Sequence, residues 1–379
     1  MGNAILGRCI AILLMSLACL SQSPPQSQNP YVLIPVVATD ASGAPASGVR
    51  AEDFLIAEGH TKSAPSYVEE VKPFLLPPDS TGRQKPPIFL VLDKLTIVGL
   101  QLWQIERSVL QFLARSLETG EPTTLLVIDS EGVKSIHSFG TPSEVLAAAL
   151  QQLDAKTRVL GGHFNSPFHA KLDDSTKRLV ELELAALESL GTNSRPLTGI
   201  NAAAVHMEAF RRIGNSDKSQ HGRKAIMWLT NEFYLQFNDA EGKMTFRGDS
   251  NFDSRSYTIQ YEHMIEALNA GHVSVYPTVF TELDSGLAGS FFDTTQWHNE
   301  GITLQPIAKA TVGAVVRSGG DLAPAVREAL QRCQGYYILT PVISPAAKGI
   351  TWTELHVSAK RKDIHLRFPN GYFDLPVRN

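Results

Sequence analysis

The middle of the chain alternates between continuous apolar runs and segments in which apolar residues recur every three or four positions. The apolar runs are IFLVLD ending at Asp93, TTLLVID ending at Asp129, residues 224–230 and residues 273–280. Short uninterrupted runs of this kind are typical of strands that are buried on both faces of a parallel sheet. We therefore predict a doubly wound, mostly parallel sheet within residues 85–333.

The segments between these runs have the spacing of amphipathic helices that cover a sheet. The clearest helix start is Thr141-Pro142-Ser143-Glu144, which supplies an N-cap residue, a proline in the first turn and a capping-box glutamate. Helices are predicted over residues 102–117, 143–153, 173–190, 199–212, 257–269 and 322–332. The alternation of strands and helices predicts an α/β, Rossmann-like fold in which helices flank the sheet.

The two ends of the chain carry a different pattern, rich in β signals. Residues 30–72 and 334–379 consist of short apolar segments separated by turns, and a proline-rich boundary over residues 73–87 follows the first of them. Neither flank is long enough to bury a good core alone. We predict that the two flanks pack together as a smaller β-sandwich-like unit, into which the α/β domain of residues 85–333 is inserted.

The composition is that of a globular protein and argues against some partners. The 379 residues are 43% hydrophobic and 19% charged, so the chain can bury a sizeable core and is long enough for two domains. The formal net charge of -4 comes from interspersed acidic and basic residues, without a basic stripe. We therefore expect no nucleic-acid partner.

The first residues predict the compartment. Arg8 precedes the apolar run of residues 9–20, which is too short to span a bilayer as a helix. This pattern is typical of a cleavable signal peptide over residues 1–21, and it places the mature protein outside the cytoplasm: periplasmic, cell-surface or secreted. Lipidation of Cys19 is an alternative, and only that modification would make a membrane partner. Cleavage leaves Cys333 without a disulfide partner.

Five segments, in order, resemble the VWFA-related domain family, which is common in Acidobacteria. They are VVATDASGAPASGVRAEDFLIAEG, IFLVLDKLT, HGRKAIMWLTNEF, GYYILTP and FPNGYF, and together they extend over nearly the whole mature chain. The resemblance implies a von Willebrand factor A-like fold, an exported protein, and a role in binding or assembly rather than in catalysis.

The resemblance also raises the question of a metal, because type A domains often bind a divalent cation through an Asp-x-Ser-x-Ser motif. Here the matching stretch begins at Asp93, but Leu95 and Ile97 occupy both hydroxyl positions. The usual Thr-Asp-Gly after the later strand reads Thr230-Asn231-Glu232, which exchanges a charge for an amide. Mg²⁺ prefers carboxylates and well-placed oxygens, so such a reduced site would bind it only weakly. We expect no metal and no cofactor.

The same positions are the candidate ligand-binding residues, since the crevice of a doubly wound sheet lies at the carboxyl ends of its strands. They are Asp93, Thr96, Thr198 and Asn231. Motifs of metalloproteases, phosphate loops and nucleophile elbows are absent from the sequence, so we expect no enzymatic activity. The leading hypothesis is binding of a protein or a cell-surface glycan. The alternatives are a structural or assembly subunit of a cell-surface complex and, with less support, a hydrolase with a non-standard site.

Overall fold

The structure describes the strands and helices over most of residues 32–375. The structure, a computed structural model, describes residues 32–58, 61–78, 82–97, 99–160, 172–191, 197, 199–216, 221–238, 243–246, 254–280, 303–342 and 349–375. The predicted signal peptide and Cys19 lie outside these residues. Among the described helices, none is both long enough and apolar enough to cross a membrane.

Strands and helices follow one another in the order β, then α/β, then β. The strands are β1 (Ile34–Thr39), β2 (Phe54–Glu58), β3 (Thr61–Ser63), β4 (Tyr67–Val71), β5 (Ile88–Asp93), β6 (Thr123–Asp129), β7 (Gly132–His137), β8 (Lys224–Leu229), β9 (Leu235–Asn238), β10 (Lys243–Phe246), β11 (Val273–Phe280), β12 (Val316–Ser318), β13 (Tyr336–Thr340), β14 (Thr351–Ala359), β15 (His365–Arg367) and β16 (Gly371–Asp374). The helices are α1 (Gly99–Thr119), α2 (Ser143–Thr157), α3 (Asp174–Glu188), α4 (Ile200–Ser216), α5 (Ser254–Ala270), α6 (Gln305–Ala310) and α7 (Ala323–Arg332).

The central sheet has six strands in the order β12-β11-β8-β5-β6-β7. All neighbouring strands are parallel except β6 and β7, which form an antiparallel pair at one edge. Every residue of β5, β8 and β11 is buried, as the uninterrupted apolar runs predicted. The structure confirms the predicted α/β fold with a mostly parallel sheet flanked by helices.

The two faces of this sheet are covered by different helices. One core contains β5 residues such as Leu90 and Leu92 together with apolar side chains of α1, α2, α3 and α7. The other core contains Val91 and Trp228 together with apolar side chains of α4, α5 and α6. Successive strand residues point to opposite faces, so both faces of each central strand are used.

The terminal strands form two antiparallel sheets of four strands, in the orders β15-β1-β13-β4 and β16-β14-β2-β3. Each sheet combines strands from both ends of the chain: β1 pairs with β13 and β15, and β2 pairs with β14. One hydrophobic core contains residues of both sheets, including Ile34, Phe54, Tyr337 and Val357. The predicted smaller β unit built from N- and C-terminal segments is therefore confirmed.

The hairpin formed by β9 and β10 was not predicted from the sequence. Its strands have four residues each and lack the long apolar runs of the central strands. Phe237 of β9 packs against Trp352 and Phe373 of the terminal strands, with ring centroids 4.5 Å and 5.4 Å away. Contacts with residues distant in sequence stabilise this hairpin, and local patterns do not report such contacts.

Candidate functional site

The candidate site lies where the strand order of the central sheet reverses. The chain leaves β5 toward β6 on one side, and it later returns to β8 on the other side. Strands β5 and β8 are parallel neighbours with Leu92 opposite Leu229, so the residues that follow them, Asp93 and Thr230, meet at one end of the sheet. Ligands of doubly wound proteins bind in the crevice at this switch point.

Asp93 makes the first turn of the loop after β5. Its Oδ1 accepts hydrogen bonds from the backbone N–H groups of Leu95 and Thr96, at 2.9 Å and 3.3 Å. An aspartate that accepts from the backbone two residues later forms an Asx-type turn. Leu95 and Ile97, which replace the hydroxyl residues of the metal motif, are buried in the cores on opposite faces of the sheet. The loop conformation is thus fixed by Asp93 and by two apolar anchors.

The second carboxylate oxygen of Asp93 is also fully used. Oδ2 accepts from the hydroxyls of Thr230 at 2.7 Å and Thr96 at 2.8 Å, and it lies 2.9 Å from Nε2 of His206 on α4. The two threonine oxygens lie 3.0 Å apart. Asp93, Thr230 and His206 are fully buried and Thr96 is nearly so. A carboxylate has about four lone-pair directions, so these five contacts leave no acceptor position of Asp93 free for another ligand.

These contacts set the charge of Asp93. Burial acts to raise the pKa of this carboxyl, but the electrostatic interaction and hydrogen bond with His206, together with the hydroxyls of Thr230 and Thr96, outweigh burial and hold the pKa below its usual value. The carboxylate is therefore ionised, and Nε2 of His206 is the donor in their hydrogen bond. We call the set Asp93, Thr96, Thr230 and His206 the Asp93 network.

Asn231 covers the Asp93 network on the solvent side. Its side-chain amide donates to the backbone oxygen of Thr96 at 3.3 Å and to Oε1 of Gln101 at 2.7 Å. The Gln101 amide donates back to Oδ1 of Asn231 at 3.0 Å. This reciprocal amide pair ties the loop after β8 to the first turn of α1, and both residues are partly exposed.

Two large apolar side chains of α1 are exposed near the start of the helix. Leu100 is 65% exposed and Trp103 is 50% exposed, although both belong to the helix that packs on the central sheet. The guanidinium carbon of Arg107 lies 5.9 Å from the centre of the Trp103 ring, within the range of a cation–π contact. We call Leu100, Trp103 and Arg107 the α1 surface.

Lys94 points away from the Asp93 network. Its Nζ donates to the backbone oxygen of Leu190 at 2.7 Å and lies 3.7 Å from Oε1 of Glu106 on α1. Burial raises the pKa of Glu106 to about 7, although the nearby ammonium acts to lower it. Burial also lowers the pKa of Lys94. The positive charge that the sequence places next to Asp93 is therefore directed to another partner.

The structure brings together three of the four candidate residues. Asp93 and Thr96 belong to the Asp93 network, Asn231 lies above it, and Thr198 lies outside the described residues. Sequence reasoning missed His206, which is the polar residue on a helix face otherwise formed by small and apolar residues. That lone polar position was the available signal, but a buried histidine on an apolar face does not by itself reveal its partner.

The chemistry of this arrangement is that of a structural anchor. Both threonine hydroxyls lie within hydrogen-bond distance of a buried carboxylate oxygen, and Thr230 is fully buried, so neither hydroxyl is presented to a substrate. Within the described ranges, no group of three or more His, Cys, Asp and Glu residues is arranged to hold a metal ion. Among the described residues, the amide pair is partly exposed and the α1 surface is exposed to solvent.

Comparison with known proteins adds no family assignment. No protein-family model matches the chain, and no curated protein matches it. The α/β fold with a mostly parallel, helix-flanked sheet is established by the structure alone, and the resemblance to VWFA-related domains rests on the sequence segments that suggested it.

Proposed function

We propose that this protein is an exported, non-catalytic binding protein that recognises a protein or a cell-surface glycan at the carboxyl end of its central sheet. The observation that carries the proposal is the exposure of Leu100 and Trp103 on the first turns of α1, the helix whose Gln101 pairs with Asn231. Tryptophan and arginine are the side chains that most often dominate binding energy at protein interfaces. An exposed indole face also suits a sugar ring.

The position of this surface supports the proposal. The α1 surface lies on the helix that follows the loop of Asp93, and the Asp93 network and the amide pair hold that loop and the loop after β8. A recognition surface supported by rigid elements loses little conformational entropy when a partner binds. The von Willebrand factor A-like relationship and the export predicted from residues 1–21 belong to the same proposal.

The experiment compares binding by wild type and two double variants. Proteins from the envelope of the source cells and an array of glycans serve as probes, and retained ligands are identified and titrated. Leu100→Ser with Trp103→Ser is expected to weaken binding at least about tenfold. Leu179→Ser with Leu182→Ser is the matched control, because these α3 leucines are also exposed but lie on another helix. Equal losses in both variants, or none in the first, would reject the α1 surface.

A second candidate, an assembly subunit, is favoured by one observation on the β unit. Tyr67 and Val342 are each 57% exposed, and Tyr67 pairs with Thr340 at the end of β13, two residues before Val342. Exposed apolar side chains that cluster in this way often mark contact surfaces. If the protein assembles through the β unit, Tyr67→Ser with Val342→Ser will reduce the mass of the complex measured by sedimentation, whereas the α1 variant will not.

A further inference from the structure

His206 occupies a closed position beside Asp93. The histidine is fully buried, and its Nε2 lies 2.9 Å from Oδ2 of Asp93. Its ring packs edge-on against Trp228 at 5.2 Å and tilted against Phe233 at 6.0 Å, measured between ring centroids. Nδ1 has no hydrogen-bond partner within the described part of the chain. The imidazole is therefore packed against aromatic side chains.

A divalent cation at this place would need an oxygen-rich surrounding. Mg²⁺ takes about six oxygen ligands at roughly 2.0–2.1 Å and keeps several waters. Here the N–H of His206 points its positive end at Oδ2, and the hydroxyls of Thr96 and Thr230 contact the same oxygen. The aromatic rings of Trp228 and Phe233 offer no oxygen. The residues at this position do not fit a metal ion.

We propose that the imidazole of His206 takes the place of a cation beside Asp93, so that the loops at the switch point are held by a side chain instead of a metal. The carboxylate receives from His206 the stabilisation that an ion would otherwise supply. Because His206 belongs to α4, it ties that helix to the ends of β5 and β8. His206 is thus a positioning residue for the loops after both strands.

One consequence concerns metal dependence. An anchor made of side chains is present whenever the chain is folded, so its stability does not depend on the concentration of free cations. Removal of divalent ions leaves the loop that carries Asn231 in place, since Thr96 and Thr230 remain bonded to Asp93. The anchor is also independent of which partner the α1 surface binds.

The test measures the melting temperature of the full chain with millimolar Mg²⁺, with a chelator, and with added imidazole. Wild type is expected to shift by less than about 1 °C in all three conditions. His206→Ala leaves a ring-sized space and an incompletely paired buried carboxylate, so we expect a loss of roughly 10 °C, part of which free imidazole restores. His206→Gln keeps an N–H donor and is expected to lose less than His206→Ala.

Phe210→Ala is the matched control, because Phe210 lies on the same helix and packs on Trp228 at 4.9 Å but has no polar group that could bond to Asp93. Imidazole is expected to leave this variant unchanged, and equal recovery of both alanine variants would contradict the proposal. A melting temperature of wild type that rises with Mg²⁺ and falls with chelator would also overturn it. If His206→Ala does not fold, metal-insensitive melting of wild type together with a stable His206→Gln supports the proposal, and an unstable His206→Gln rejects it. No partner is used, so these outcomes are separate from those of the binding experiment.

Discussion

Two buried carboxylates show how immediate partners set the charge of a side chain in this protein. Asp93 is contacted by five donors, and its pKa lies below the usual value even though burial acts in the opposite direction. Glu262 on α5 accepts one backbone N–H, from Phe373 at 3.2 Å. Burial and the neighbouring carboxylates of Glu266 and Asp374 raise its pKa to about 8. The first carboxyl is held ionised and the second is held protonated at neutral pH.

The raised pKa of Glu262 predicts how stability depends on pH. The folded chain holds this proton more tightly than the unfolded chain, so the contribution to the free energy of unfolding is complete below pH 4.5 and is lost as pH rises through about 8. Over this window the loss is on the order of a few kcal/mol. Glu262→Gln is expected to flatten the decline, measured by urea unfolding at several pH values.

Part of the decline will remain in that variant, because Glu106, whose pKa is raised to about 7, titrates in the same direction. The Glu262→Gln amide oxygen still accepts from Phe373, which makes the substitution a test of charge rather than of packing. Parallel pH profiles of wild type and Glu262→Gln would show that Glu262 is ionised in the folded protein.

Asp93→Asn tests the network at the switch point. The amide places an NH₂ group among donors, so at least one of the contacts with Thr96, Thr230 or His206 must be lost. We expect a decrease of about 3 kcal/mol in the free energy of unfolding, measured with denaturant. Asp173→Asn is the control, because an asparagine N-cap accepts from Thr176 as aspartate does. A decrease of similar size in the control would contradict a special role of Asp93.

At the scale of elements, helices α4 and α5 approach each other backbone to backbone. A Cβ atom added at Gly214 of α4 would lie 2.5 Å from the carbonyl carbon and oxygen of Ala267 of α5. A Cβ added at Gly271, just after α5, would lie 2.4 Å from the oxygen of Gly214. Glycine is required at this contact for space and not for an unusual backbone angle.

Gly214→Ala is therefore expected to force the two helices apart and to lower the free energy of unfolding by roughly 1–3 kcal/mol. Gly191→Ala provides the comparison, because a Cβ there meets nothing within 4 Å, and its effect should stay within about 0.5 kcal/mol. The free energies of unfolding of the two variants are compared by thermal unfolding. A loss in Gly214→Ala alone indicates overpacking between the helices, whereas equal losses indicate a general sensitivity to added methyl groups.

At the scale of the whole molecule, a buried arginine joins the α/β sheet to the terminal strands. Arg223 precedes β8, and its guanidinium donates to the Ser274 hydroxyl and to the backbone oxygens of Gln334 and Val312, all at 2.8–2.9 Å. The same group lies 4.8 Å from the centre of the Tyr336 ring. Three directed hydrogen bonds and an aromatic contact stabilise the buried guanidinium charge of Arg223. None of these contacting groups is a carboxylate.

Arg223→Lys is expected to lose about 3 kcal/mol of unfolding free energy, since an ammonium group cannot reproduce the planar fork of donors. Arg115→Lys is the control, because a single guanidinium nitrogen of Arg115 donates to both carboxylate oxygens of Asp321 at the surface, where ion pairs contribute little. Denaturant unfolding of both variants checks the difference. Equal effects would mean that the junction does not depend on the directed bonds of Arg223.

We predict that the α/β domain of residues 85–333 is inserted between the two flanks, and this arrangement predicts the behaviour of fragments. A chain of residues 85–333 is expected to unfold cooperatively in denaturant, whereas residues 30–72 and 334–379 are expected to remain unfolded when each is expressed alone. The reason is that each terminal sheet needs strands from both flanks. Cooperative folding of residues 30–72 alone would contradict this interpretation.

Local patterns in the sequence were sufficient to predict the order and type of the main strands and helices. Buried strands such as β5 and β8 are apolar along their whole length, and helices such as α4 repeat apolar residues every three or four positions. These periodicities depend only on backbone geometry, so they can be recognised in the sequence without the tertiary structure. The sequence also predicted that Asp93, Thr96, Thr198 and Asn231 lie at the carboxyl ends of the sheet strands.

Only the tertiary structure decided which side chains meet. His206 lies 113 residues from Asp93 in the sequence, and Thr230 lies 137 residues from Asp93. Both side chains nevertheless contact the same carboxylate oxygen of Asp93. No local pattern encodes such a contact, because it results from the close packing of α4 on the sheet and from the order of β5 and β8 within it. The same reason explains why the role of Arg223 and the β9–β10 hairpin escaped sequence reasoning: their stabilising contacts come from residues distant in the chain.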